Sequence, residues 1–440
     1  MTKNLKMSTL HITLFEKQLV RSYLLSDQGH LIKQLSNVYN INIITSKELE
    51  GLISEKSLEL GLITSVTVFE NYKENILIKI LSSIFRYSNK SSVTIQIINL
   101  QKQSGSRFFR TLLRYIIYLL VSNSKFLKLM LRKIFQFLVG LQNLRGYFTP
   151  FLQIEKIDIL FVTSLLPLRG QDIIIGVFFR KRKIRVLGTV RSWDNLSVNG
   201  TLPFVPDLFL SHSDYMRRTA VNKQGISKDS IVMSVTPSYQ HSFLVDKIQD
   251  KTGNINFSYM CQGLVVNPDD RNFVYWLVDA WRKMPKNFNL FIVQHPSFIM
   301  EKIDIFPHSN VQFIVFEYSS TSLNDYYSHL SSMDLVFGGG TTGLLDACFL
   351  NVPVVVVEFE IEQQEYWQST LRHFDYFPWT ADFFNGSKFT RAKNKNDLIN
   401  YLINYKDICS IDNDYIVKFT GSPTINMPDE ILSASLKLLR

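Results

Sequence analysis

Three segments of this 440-residue chain carry residue types that can bind or move charge. The sharpest begins at Asp334 and runs through Gly338, Gly339, Gly340, Thr341, Thr342 and Gly343 into an apolar stretch containing Asp346 and Cys348. Glycines let a backbone approach a ligand closely. The N–H groups of a helix's first turn, with the helix dipole, form an anion site. Either threonine can hydrogen-bond a phosphate oxygen, and either can equally cap the helix. No Lys follows the glycines, so the loop is not of the Walker type and ATP hydrolysis of that kind is disfavoured. The alternative is a plain glycine turn with a threonine cap.

The second segment is Gln294, His295 and Pro296 at the end of an apolar run. His295 can donate to a phosphate oxygen, and Pro296 stops the strand and fixes the loop beside it. A His-Pro pair otherwise marks a turn. The third is Arg191, Ser192, Trp193, Asp194 and Asn195, with Gly200 and Pro203 beyond. Arg191, Trp193 and Asn195 suit a hydroxylated acceptor, and Asp194 can act as general base toward its hydroxyl. An Asx-type turn over a packed Trp193 explains the same residues. His212, closing the next strand, is a further candidate acceptor contact. Asp27 and His30 offer a second carboxylate and imidazole, or simply solvent-facing helical positions. Glu358, first of the run Glu358 to Glu362, can hold ribose or sugar hydroxyls, or be a solvated loop charge.

The elements that must position these residues alternate strand and helix. Leu10–Phe15, Ile41–Ile44, Val66–Phe69, Ile157–Val162, Ile184–Val190 and Leu208–Leu210 read as strands, with a helical run over Leu19–Leu35. After a polar linker, Val235–Asn254, the alternation resumes with strands at Phe257–Cys261, Leu290–Val293, Val311–Val315, Leu335–Phe337 and Val354–Val357. Such alternation predicts an α/β protein of two doubly wound, Rossmann-like domains facing across a cleft. Their ligands sit outside the carboxyl ends of the strands. The expected limits are 1–240 for the first domain, carrying a basic helical insertion at about 104–150, and 254–420 for the second. A helix at 427–440 is expected to return to the first.

Composition narrows the class further. The net charge is +10, but residues 75–154 contain no Asp or Glu and twelve Lys and Arg, leaving 36 basic against 38 acidic residues elsewhere. With 46% hydrophobic residues and 33 Phe, core material is ample and disorder is excluded. The three cysteines show no metal spacing, and the only pair with Asp-x-Asp spacing, Asp412 and Asp414, has no accompanying signal, so no metal is expected. The first residues lack the apolar centre of a signal peptide, and the reading is a protein that is not exported. In the basic stretch Arg107, Arg110 and Arg114 share a helical face, as do Lys125, Lys128 and Arg132, beside Leu, Ile and Phe. Two amphipathic helices broken near Ser122–Ser124 describe a segment lying in a membrane interface, with an anionic membrane surface as partner. No recognition motif supports nucleic acid. The alternative is a helical pair packed on the sheet with its cations in water.

The segment from Arg191 to Gly200, the strand Pro206–Ser213, the His295-Pro296 pair and the Thr341-Thr342 loop together resemble GT-B glycosyltransferases of bacterial surface-polysaccharide synthesis. They are similar to the motifs of CDP-glycerol, Kdo and sialyl-type transferases, over short motifs between about Glu155 and Glu360. The resemblance implies a nucleotide-sugar as co-substrate with no other cofactor, its phosphates held by His295, Thr341 and Thr342. It further implies a glycan or lipid-linked acceptor and work in the cytoplasm at the inner face of the membrane. The chain departs from those families in carrying Gln294 where a basic residue often precedes His-Pro, and in lacking an acidic-acidic-Gly motif, so the donor nucleotide stays open. A nucleotide-sugar epimerase of the same architecture and a non-catalytic scaffold of polysaccharide assembly are the competing readings.

Overall fold

The computed structural model describes residues 8–88, 98, 108–150, 152, 154–155, 158–166, 170–192, 194–198, 200–236, 253–262, 267–296, 310–317, 323–365, 369–372, 374, 378–385, 389–422 and 424–439. Two compact units divide the chain. The first is 1–240 with 419–440, the second 241–418. Most of the expected linker, Val235–Asn254, lies outside the described residues.

The first unit is built on strands β1 (Thr9–Leu14), β2 (Asn40–Thr45), β3 (Thr64–Phe69), β4 (Phe148–Thr149), β5 (Ile159–Val162), β6 (Arg185–Gly188), β7 (Leu208–Ser211) and β8 (Ile231–Met233). Their order is β4-β3-β2-β1-β5-β6-β7-β8, parallel throughout except for β4, which runs antiparallel to β3 at the edge. Central strands such as β5 are buried along their whole length, because helices cover both faces of a parallel sheet. The core gathers Phe85, Phe135, Phe179, Phe204 and Phe209 with the aliphatic residues of the strands.

The second unit holds β9 (Ile255–Met260), β10 (Phe288–Gln294), β11 (Val311–Val315), β12 (Leu335–Gly338), β13 (Val354–Val357) and β14 (Thr390–Ala392). All pairings are parallel, in the order β11-β10-β9-β12-β13-β14. Phe257, Tyr259, Trp281 and Phe337 anchor its core. The molecule thus has two Rossmann-like α/β units, the make-up of the GT-B fold.

The helical run expected over Leu19–Leu35 is broken. A wide turn at Val20–Leu25 and a tight one at Ser26–Gly29 precede a true helix at His30–Ser36. Gly29 takes φ 77°, which a side-chain-bearing residue adopts only with strain. The basic insertion forms helices Phe108–Ser122 and Lys125–Gly140, the second capped by the Ser124 hydroxyl, which accepts the Leu127 N–H at 3.1 Å. They pack with helix Ile76–Tyr87.

At Phe419 the chain rejoins the first unit. Gly421 passes so close to β7 that an added Cβ would stand 2.2 Å from the His212 carbonyl oxygen, so only glycine fits. Helix Met427–Leu439 then packs against His30–Ser36, with Tyr39 Oη 2.8 Å from Ser435 Oγ. Among the described residues no helix is long and apolar enough to cross a membrane.

Candidate functional site

In the second unit the strand order reverses between β9 and β12. Crossovers leave these neighbours in opposite directions, so their carboxyl ends border a crevice in which such sheets bind ligands. β9 delivers Met260, Cys261 and Gln262 to that point, and β12 delivers Gly338 to Thr341. Gly338 is dictated by this closeness, and Gly339 and Gly343 give the ends of the Gln262 and Met260 side chains room to lie against the loop. A Cβ on Gly338 would lie 2.9 Å from the Met260 carbonyl oxygen, one on Gly339 2.7 Å from Gln262 Oε1, and one on Gly343 2.5 Å from Met260 Cε.

Gln262 is 6% exposed, and its Oε1 has no hydrogen-bond partner among the described residues. A buried acceptor left unpaired costs roughly 1–3 kcal/mol, a penalty that a ligand N–H or hydroxyl would remove. Thr341 caps helix Thr342–Phe349, accepting the Gly343 N–H on its hydroxyl at 3.2 Å. That bond uses an acceptor lone pair and leaves the hydroxyl proton available to a phosphate oxygen. Thr342 is exposed at the first helical position. One turn on, Asp346 accepts the Tyr326 hydroxyl at 2.8 Å.

His295 and Pro296 follow β10, the neighbour of β9, and are half-buried. Burial lowers the His295 imidazole below its ordinary value, so it meets a ligand as a neutral donor. Glu358 follows β13 on the other side of β12, but its carboxylate is paired with Arg391. Glu360 accepts the Thr370 N–H at 3.0 Å, and Asp269 accepts the Ile361 N–H at 2.6 Å. These carboxylates hold the loop itself. Asp412 accepts the Asp414 N–H at 2.9 Å, a local turn.

In the first unit the reversal falls between β1 and β5. Here the strand ends present Glu16, Thr163, Ser164 and Arg191. Arg191 Nη1 lies 2.7 Å from Glu16 Oε2, joining residues far apart in sequence across the crevice. Ser164 is fully buried, with no partner for its hydroxyl among the described residues. Beneath it the Thr13 hydroxyl donates to Asp172 and accepts the Thr163 N–H at 3.2 Å.

Asp194 follows Arg191 by one turn. Burial raises its carboxyl above the ordinary value, opposed by Ser192 and by the Arg191 charge. A carboxyl raised by burial beside Arg191 has the property a general base needs. Asn195, 4% exposed, accepts the Ser192 N–H on Oδ1 at 2.9 Å. That bond reaches back three residues and fixes the segment from inside; it is not the expected Asx turn, whose bond runs two residues forward. Trp193 lies outside the described residues.

Three expected residues stand apart from both crevices. His212 is fully buried with Nε2 2.9 Å from the Thr189 hydroxyl, and burial pulls its imidazole down to about 3, so it offers no face to an acceptor. The turn carrying Asp27, whose side chain is outside the described residues, and the exposed His30 presses Gly29 against Leu60 and Leu62. Those leucines lead into the amino end of β3, because the crossover from β1 runs back along the sheet before reaching β2. Gln262, Glu16 and Ser164, in turn, stand at the crevices without a motif around them. Their only sequence signal is position, each lying within two residues of the carboxyl end of a strand beside a reversal. Among the described residues no group of three His, Cys, Asp or Glu side chains could hold a metal.

No protein-family model matches the chain, and no curated protein matches its sequence. Solved structures do. A protein described as a UDP-N-acetylglucosamine 2-epimerase of Listeria monocytogenes superposes with a TM-score of 0.51 at 10% identity, covering 98% of this chain and 96% of its own. A UDP-GlcNAc 2-epimerase of Methanocaldococcus jannaschii gives 0.50 at 10% identity over 98% and 99%. The glycosyltransferase of kitacinnamycin gives 0.45 at 8% over 99% and 98%. At such identities the likeness is one of fold.

Proposed function

We propose that this protein is a metal-independent glycosyltransferase of the GT-B fold. It takes a sugar from a nucleotide-sugar donor and passes it to a glycan or lipid-linked acceptor in surface-polysaccharide synthesis, such as capsule or O-antigen. The observation that supports this best is the crevice between β9 and β12, where an unpaired buried amide, a glycine-lined strand end and a threonine-capped helix N-terminus converge. Donor phosphates would rest on the first-turn N–H groups and the hydroxyls of Thr341 and Thr342, with His295 donating from β10. Charge on the departing nucleotide is stabilised by donors already in place. Asp194 takes the proton of the acceptor hydroxyl, with Arg191 orienting the acceptor and Asn195 holding the segment in place.

A second reading, a nucleotide-sugar epimerase, is favoured by the two structures with TM-scores of 0.50 and 0.51, both described as UDP-N-acetylglucosamine 2-epimerases and matched over nearly their whole length. One experiment separates them. The protein is screened by thermal shift with UDP-, GDP-, CDP- and CMP-sugars, and the best ligand is then incubated alone and followed by NMR. A change of sugar configuration without acceptor establishes the epimerase. A donor that stays intact until a glycan acceptor is added establishes the transferase. No shift with any nucleotide would overturn both and leave the scaffold.

A further inference from the structure

A helix packed on a core needs one apolar stripe. The three helices Ile76–Tyr87, Phe108–Ser122 and Lys125–Gly140 have two. Their inner residues are buried, Ile78, Phe85, Phe135 and Val139 in the first unit's core and Tyr118 of the middle helix against Tyr87. Their outer stripe is apolar as well. Of the 23 large hydrophobic side chains exposed among the described residues, fifteen fall between 76 and 141. Leu113, Ile116 and Leu120 form one row at helical spacing, and Phe126, Met130 and Phe137 another, with Phe126 73% and Phe137 65% exposed. Single exposed hydrophobics are ordinary, but a concentration of this kind marks an interaction surface.

Charge says what covers it. No acidic residue occurs from 75 to 154. Lys79, Arg86, Lys125, Lys133 and Arg145 are exposed around the apolar rows. Arg132 is not among them, because it turns inward to the carbonyls of Leu202 and Gln224 at 2.8 and 2.9 Å. Arg114 lies over the Tyr87 ring. A second copy docking about a two-fold axis would set this positive surface against itself. Nucleic acid would meet the cations but leave the apolar rows uncovered. An anionic bilayer satisfies both, with phosphates for the cations and acyl chains for the leucines and phenylalanines.

We propose that this three-helix face is a membrane-docking surface that lies in the headgroup region of an anionic bilayer. At 12, 15 and 16 residues the helices fall short of the roughly 20 needed to span. The inference stands on exposure and charge, and does not depend on which nucleotide-sugar reaction the crevices carry out.

The test is cosedimentation of the full chain with vesicles of phosphatidylglycerol and phosphatidylcholine in equal parts, against phosphatidylcholine alone. Binding to the anionic vesicles is expected to be at least about tenfold stronger. The triple variant Phe126→Ser, Met130→Ser, Phe137→Ser, all at solvent-exposed positions, should keep its melting temperature and lose about tenfold or more in partitioning. Lys79→Glu, Lys125→Glu and Lys133→Glu together should lose as much and flatten the salt dependence. Failure of the unaltered protein to sediment with either vesicle overturns the proposal, and so does unchanged binding by the serine variant. A solution dimer that dissociates on the serine substitutions would assign the face to a second copy instead.

Discussion

The two sheets reverse strand order in the same way but furnish their crevices with opposite chemistry. In the second unit the strand ends are glycine, threonine and amide, with one buried acceptor waiting and the nearby carboxylate of Glu358 held by Arg391. In the first unit the strand ends carry charge that is already compensated, Glu16 against Arg191, beside a carboxyl at Asp194 that burial raises. An uncharged, backbone-rich crevice suits a ligand that brings its own negative charge. A compensated, partly dry one suits a group that must move a proton. The difference predicts that damage to the first crevice slows the reaction and damage to the second empties it.

The largest effect that would break this division is at Asp194. Asp194→Asn should lower turnover about 10²–10⁴-fold, the usual worth of a general base, with nucleotide affinity unchanged in calorimetry. Because burial raises that carboxyl, the rate should climb with pH through a point above the ordinary carboxylate value and fall below it. Weakened nucleotide binding in this variant would merge the two roles.

Next comes a stability effect in the first unit alone. His212 stays neutral in the folded protein down to about pH 3, whereas an unfolded imidazole takes its proton near 6.5. As pH falls through that window the unfolded chain binds the extra proton, so stability drops by about 1.4 kcal/mol per unit. His212→Gln should flatten this acid limb in denaturant titrations of the isolated mutant and wild type. An unaltered limb would place the acid sensitivity elsewhere.

Smaller is the change at Gly339→Val, which forces Gln262 to move. Overpacking of this kind costs about 1–3 kcal/mol, read here as a tenfold or greater loss of nucleotide affinity. Smallest is Thr341→Ala, which removes a helix cap worth about 1 kcal/mol and one phosphate donor. Thr341→Ser should restore both, and a serine variant as weak as alanine would leave the hydroxyl without a role.

Much of the framework was legible in the chain. Val311–Val315 and Val354–Val357 are strands at the limits read from sequence, because short β-branched runs between polar turns leave little choice. β4, β8 and β14, of two or three residues, carry too few positions to show a pattern and exist through their neighbours. The break in Leu19–Leu35 leaves no mark on the pattern because Leu19, Tyr23, Leu31 and Leu35 keep helical spacing across it, while the deciding feature is the backbone at Gly29. The glycine–threonine loop announced itself by composition. Gln262 did not, since its importance comes from which strands are neighbours, and the Glu16–Arg191 pair depends on a fold that brings separate strand ends together. His212 shows the converse, a polar residue with a functional look that the chain's return at Gly421 seals inside.

That return also sets a timetable. During synthesis an amino-terminal domain ordinarily folds first, but here the helix Met427–Leu439, with Ser435 at Tyr39, belongs to the unit that begins the chain. The opening unit therefore waits, one face uncovered, until every residue of the closing unit has left the ribosome, and is finished last.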